Sequence, residues 1–302
     1  MNEALPAVRS RATGELRREP LVSGREHIFL ASVAAISAFT SLPLYRIVGG
    51  AFAHRVRIED PLTAGRLFGF YLYVTIITIA LRYGEAILGL CAAKRSGLTP
   101  LPVVDASPER REDSMGRLIQ GVPLGILCAL AAILINGTQF FIFSFGPGSA
   151  ASPSPALLRR HNYAMRQMNR LDSWRSALLL YVGAPIAEEI ECRLLLFSAI
   201  VWIGERLAKR YGWPSRGMIT WSAVALSGLA FGMLHVLGGQ GVTWWRPLYQ
   251  QVFVDARTYV GLILAWVYWK RGLETSMIAH GVMNFLVIIV MGAAFVLVQM
   301  GS

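Results

Sequence analysis

Charge is scarce in this chain. Only 16% of its 302 residues are Asp, Glu, Lys or Arg, against an apolar share of 54% and a mean hydropathy of +0.48. Soluble domains carry about a quarter charged residues, so the balance excludes an ordinary soluble domain. Lysine is scarcer still and stands only at 94, 209 and 270. Cysteine is limited to Cys91, Cys128 and Cys192. An odd count in or beside apolar runs excludes a disulfide framework and leaves these as reduced packing residues. No internal repeat is present, and no low-complexity tract beyond a short Gly/Ser/Pro linker. The alternating ten-residue segments of a membrane barrel are absent as well. No cleavable signal peptide is expected, because the first 26 residues are polar and basic and the first apolar run is long enough to span.

What the chain has instead is a series of long apolar runs. About 20 apolar residues cross roughly 30 Å of hydrocarbon. Such runs recur near His27–Gly50, Leu67–Ala92, Leu118–Phe145, Ser176–Ile203, Ile219–Leu237, Val252–Trp269 and Ser276–Met300. Backbone polar groups in lipid must be satisfied within the segment, so these are helices. The expected fold is all-α: a polytopic membrane helix bundle of about seven to eight transmembrane helices with an intramembrane polar site. The organisation reads as a basic cytoplasmic tail (1–26), N-terminal transmembrane helices (27–146), a Gly/Ser/Pro linker with an amphipathic interfacial segment (147–173), and a transmembrane core (174–300).

The net charge of +11 is almost all arginine. A basic excess can signal nucleic acid, but here the cations sit at span ends: Arg17, Arg18 and Arg25, Lys94 and Arg95, Arg110 and Arg111, Lys209 and Arg210, Lys270 and Arg271. That is the positive-inside pattern. It puts the N-terminus and the 94–117, 204–216 and 270–272 connections in the cytoplasm, and it gives the lipid bilayer, not nucleic acid, as the partner. Arg159, Arg160, Arg166 and Arg170 dissent by parity, which an amphipathic helix over Pro155–Leu171 lying in the interface accounts for. The arginine-rich, lysine-poor composition suits a bacterial inner (plasma) membrane.

The most informative feature is Glu188-Glu189-Ile190-Glu191-Cys192-Arg193 inside the fourth apolar run. An ionisable residue at the bilayer centre costs roughly 2.5–3.5 kcal/mol, so this cluster must face the bundle interior or a watery cavity. On a helix, Glu189 and Arg193 form an acid-before-base pair at i,i+4, while Glu188 points elsewhere and is free to take a proton, as a general base must. Pro185 just before them kinks the span and opens space for water. By itself the motif reads equally well as a structural ion-pair cluster. His235, in Phe231-Gly232-Met233-Leu234-His235, would alone be a hydrogen-bonded core residue. His280-Gly281-Val282-Met283-Asn284 puts an imidazole and a carboxamide on one helix face, fit to cradle an oxyanion or complete a metal shell. Arg82 with Glu85, and Asp255 with Arg257, read as structural pairs or cavity lining within the second and sixth runs.

Taken together, Glu-Glu-x-x-x-Arg, Phe-x-x-x-His and His-x-x-x-Asn, each on its own membrane helix and in that order, resemble the CPBP family (CAAX protease and bacteriocin-processing) of intramembrane glutamic peptidases. The resemblance covers about residues 174–296. It implies an intramembrane endopeptidase acting on a membrane-anchored protein or peptide. It further implies Glu188 as the base that activates water, His235 holding that water, and His280 and Asn284 stabilising the oxyanion. Glu189 and Arg193 would be the supporting, substrate-orienting pair, with Phe231 packed behind His235. Two positions depart from the family pattern: Leu194 stands where glycine is frequent, and Glu191 adds a carboxylate. Members have been regarded both as zinc-dependent and as metal-free. His-Glu-x-x-His is lacking here, so no obligatory zinc is expected; a zinc ion, if bound, would fall to Glu188, His235 and His280. A non-catalytic membrane scaffold or immunity protein of the same fold is the alternative. A transporter is a weaker one, since no inverted halves are visible.

Overall fold

The computed structural model describes residues 21–53, 61–107, 110–145, 182–212, 215–236 and 255–300. The basic tail up to residue 20, the linker and the expected amphipathic helix over 155–171 lie outside these residues. Among the described residues there are helices, turns and loops but no strand. The helices are α1 (Gly24–Ala53), α2 (Pro61–Arg95), α3 (Arg111–Ile119), α4 (Gly121–Phe145), α5 (Ala184–Glu189), a π-helical segment (Ile190–Phe197), α6 (Ser198–Tyr211), α7 (Arg216–His235), α8 (Ala256–Arg271) and α9 (Leu273–Met300).

The apolar runs of the sequence fall on these helices. Among the described residues, Gly69–Arg95, Glu112–Ile135 and Arg216–His235 are long and apolar enough to cross a membrane. The fourth run is not one uniform α-helix. After Glu189 the backbone widens into π geometry for eight residues, then returns to α through α6. Such π turns recur at functional sites. Two sequence signals set the helix ends: Ser215 caps α7 by accepting from the Met218 N–H, and Asp255 caps α8 by accepting from the Arg257 N–H. Asp255 therefore precedes its helix as the cap, and its other oxygen lies 3.5 Å from Arg257 Nη1, the structural pair expected from the sequence.

The π segment is the centre of the bundle. Helix α2 packs on one side of it and α7 on another, with α8 and α9 closing around α5 and the π segment; α4 lies against α9, and α1 pairs with α2. Two glycines set the closest approaches. A Cβ on Gly232 would fall 1.9 Å from Thr258 Oγ1, so α7 and α8 touch backbone to side chain one turn before His235. A Cβ on Gly89 would fall 2.4 Å from the carbonyl oxygen of Leu194, so α2 lies directly on the π segment. Gly89→Ala is expected to cost about 1–3 kcal/mol of overpacking. A lowered unfolding midpoint in detergent micelles checks it; an unchanged midpoint would show that α2 is not seated so closely.

A polar cluster braces the N-terminal end of α9. Glu274 accepts from the Val103 and Val104 N–H groups at 3.1 and 3.3 Å, and Lys94 lies 2.6 Å from the buried Glu26 carboxylate. Asp105, in the loop between α2 and α3, is pushed up to about 6 from 3.8 by desolvation and then by the neighbouring Glu26 carboxylate. A carboxyl that ionises later in the folded chain than in the unfolded one keeps extra protons between those values. The folded state therefore loses stability as pH rises through that window. Asp105→Asn should match wild type near pH 4 and melt higher above pH 6; a parallel pair of melting curves across pH would contradict this.

Candidate active site

The three motif-bearing segments meet in one place. Glu188 and Glu189 end α5, Arg193 sits in the π segment, Phe231 and His235 end α7, and Ser276 and His280 lie on the first turns of α9. Glu189 is fully buried and fully engaged. One oxygen accepts from Ser276 Oγ at 2.5 Å and lies 3.5 Å from Arg193 Nε; the other is 3.0 Å from His280 Nδ1. Two further contacts fix Arg193. Its Nη2 donates to the Gly261 carbonyl at 3.3 Å, and its guanidinium lies 4.6 Å from the centre of the Phe231 ring. The expected i,i+4 pairing of Glu189 and Arg193 is thus present, within a wider π turn.

Glu188 has the contrasting environment. Its side chain keeps 25% exposure, against 0% for Glu189. His235 Nε2 lies 3.5 Å from one of its oxygens and His280 Nε2 lies 3.4 Å from the other. His235 Nδ1 faces the Phe231 carbonyl at 2.9 Å, an arrangement that fixes the ring with Nε2 toward the carboxylate. The Phe231 ring stands 4.6 Å from the His235 ring and 5.6 Å from the His280 ring. It therefore walls both imidazoles as well as Arg193. Asn284 follows His280 by four residues on α9, on the same face, and is half-buried.

Such a site can do acid–base chemistry. It has one carboxylate locked by three groups and another, part-exposed, between two imidazoles. The donor set of Glu188, His235 and His280 also needs testing as a zinc site. Both ring nitrogens of His280 are turned to carboxylates, and among the described residues no group of three or more His, Cys, Asp or Glu side chains is arranged to hold a metal ion. The residues do not present a preformed metal shell.

Two partners escaped sequence reasoning. Ser276 is one turn before His280, a spacing visible in hindsight, but serine is too common for that signal to stand out. Arg82, far away on α2, forms an ion pair with Glu191 and another with Glu85 at 3.0 Å. The extra carboxylate of the motif is thus the anchor by which α2 grips the π segment. Arg82→Gln should lower turnover several-fold with little change in KM, because the Glu191 charge left unpaired at membrane depth shifts the segment that carries Glu188; Glu191→Gln, which leaves Arg82 paired with Glu85, should cost less. The swap Arg82→Glu with Glu191→Arg, made in a Glu85→Gln background so that no like charges meet at i,i+3, should recover most of the loss. A swap no better than the single variants would refute the brace.

Residues 170–286 match the family model described as type II CAAX prenyl endopeptidase Rce1-like. No curated protein and no solved structure matches the chain.

Proposed function

We propose that this integral membrane protein hydrolyses a peptide bond in a membrane-anchored protein or peptide, with Glu188 as the base; the match of residues 170–286 to the type II CAAX prenyl endopeptidase Rce1-like model, a family of CAAX-type intramembrane proteases, supports the reading. The observation that carries the reading is the split between the paired glutamates: Glu189 is consumed by Ser276, His280 and Arg193, while Glu188 stands open between two imidazole Nε2 atoms.

In this reaction a water held by Glu188 and His235 gives its proton to Glu188 as its oxygen attacks the peptide carbonyl carbon. The resulting oxyanion takes hydrogen bonds from the His280 Nε2–H and the Asn284 carboxamide. Glu188 then passes the proton to the departing amine, and the C–N bond breaks. No step is routed through a metal. Glu189 and Arg193 hold His280 and the π segment in place, and Phe231 keeps both imidazoles upright. The bundle has seven to eight spans, its N-terminus faces the cytoplasm, and the plasma membrane of a bacterium is its setting; the positive-inside distribution of Arg and Lys supports that orientation.

The test is a comparison of protein carboxyl termini in membranes holding wild type, Glu188→Gln or His235→Ala at matched levels. Fragments present with wild type and missing with both variants are expected, and they identify the substrates. Identical termini in all three would sink the peptidase reading in favour of a non-catalytic scaffold of this fold.

A further inference from the structure

On the outer side of α7 and α8, away from Glu188, lies an apolar groove of about 330 Å³ lined by Trp221, Val224, Ala225, Leu262, Ile263 and Trp266. It is built from features the peptidase mechanism does not use. Trp221 is 56% exposed and Trp266 36% exposed, so two indole faces form its walls. At one end the helices pinch together, with Leu262 seated on Gly228: a Cβ there would lie 2.6 Å from Leu262 Cδ2. At the other end the Trp221 ring meets the Trp269 ring edge to face at 5.6 Å. The groove is thus a bounded slot along a helix pair that includes a membrane-length span, and polar ligands find almost nothing in it to bond.

Charge at the Trp269 end says what fills the slot. Ile263, Trp266 and Lys270 recur at i, i+3 and i+7 and so share one face of α8. The Lys270 ammonium rests 3.7 Å from the Trp269 ring centre, which places a cation beside the tryptophan pair that closes the groove. Arg271 follows it; Arg216, which opens α7 at the same end, is already paired with Glu205 at 3.3 Å and leaves the headgroup to Lys270. An apolar slot at membrane depth with cations at its membrane-surface end takes a ligand with a long hydrocarbon tail and an anionic head. Tryptophans at that boundary give the tail rigid, amphipathic walls.

We propose that this groove is a binding site for an anionic phospholipid, with one acyl chain between Trp221 and Trp266 and the headgroup phosphate on Lys270. The site stands apart from the reaction centre, and its test does not require peptide cleavage.

Full-length protein in phosphatidylcholine nanodiscs would be doped with phospholipid brominated on the acyl chains, either phosphatidylglycerol or phosphatidylcholine, at equal mole fraction. Bromine quenches a tryptophan it touches. Brominated phosphatidylglycerol is expected to quench more, corresponding to a roughly fivefold local enrichment, the weight of one cation near the surface. The excess should vanish in Lys270→Gln and shrink in Trp221→Phe and Trp266→Phe. Equal quenching by the two lipids would overturn the proposal, as would an excess that survives Lys270→Gln. Relief of quenching by a farnesylated peptide, but not by unlabelled phosphatidylglycerol, would overturn it too, by assigning the groove to a substrate's isoprenoid anchor.

Discussion

Glu188→Gln is expected to lower turnover of a purified, reconstituted enzyme by about 10³-fold, within the range that a positioned general base supplies. The replacement keeps size and shape and still hydrogen-bonds to the imidazoles, but it cannot accept a proton from water. The unfolding midpoint should therefore stay close to that of wild type, separating loss of chemistry from loss of fold. His235→Ala should cost less, about 10²-fold, because Glu188 keeps its contact with His280 at 3.4 Å. Residues acting as a unit are not additive, so the double variant should be no slower than Glu188→Gln alone. A double variant slower by the product of the two losses would mean that His235 acts independently of the base.

Arg193→Ala should act on the fold first. Arg193 and Glu189 are both at 0% exposure, and removing one member of a buried pair costs about 3–5 kcal/mol because the remaining charge is stranded. Ser276 and His280 still hold Glu189, so the loss is expected at the lower end of that range. The Gly261 carbonyl also loses its donor, and Phe231 loses the cation on its face. Unfolding midpoints in detergent for Arg193→Ala, Glu189→Gln and the pair give a double-mutant cycle. The pair should be less destabilised than the sum of its parts. Strict additivity would show that the two side chains, 3.5 Å apart, do not depend on each other.

Much of the site is legible in the residues because helical spacing is local. Glu189 and Arg193 at i,i+4, and Phe231 and His235 at i,i+4, declare their shared faces without knowledge of any other helix. That Glu188 would be the open member of the glutamate pair also follows from one residue of rotation. The sequence is silent where the answer depends on how helices pack. Nothing in Arg82 or Glu191 states that they meet, since they lie on helices 109 positions apart in the chain. The Gly261 carbonyl becomes an acceptor only because α8 passes beside the π segment. The π geometry of Ile190–Phe197 is equally hidden, because the same apolar pattern serves either hydrogen-bond register. The Ser227 hydroxyl, which donates to the Cys192 carbonyl at 2.7 Å, is a sign of how that widened turn is supported from α7. Asp255 is different: its pairing with Arg257 is legible in the sequence and present at 3.5 Å, and an acid just before an apolar run is also an ordinary helix-start signal, which gives its second role as the cap.

The central claim is that water held by Glu188 attacks the peptide carbonyl directly. A single-turnover cleavage in ¹⁸O-labelled water, with enzyme in excess over a membrane-anchored peptide, tests it at the atom concerned. One ¹⁸O in the new carboxyl group of the amino-terminal fragment is the predicted result, with no product from Glu188→Gln. An unlabelled carboxyl group, with the label found instead on the side chain of Glu188, would show that the glutamate attacks the substrate itself and would contradict the account.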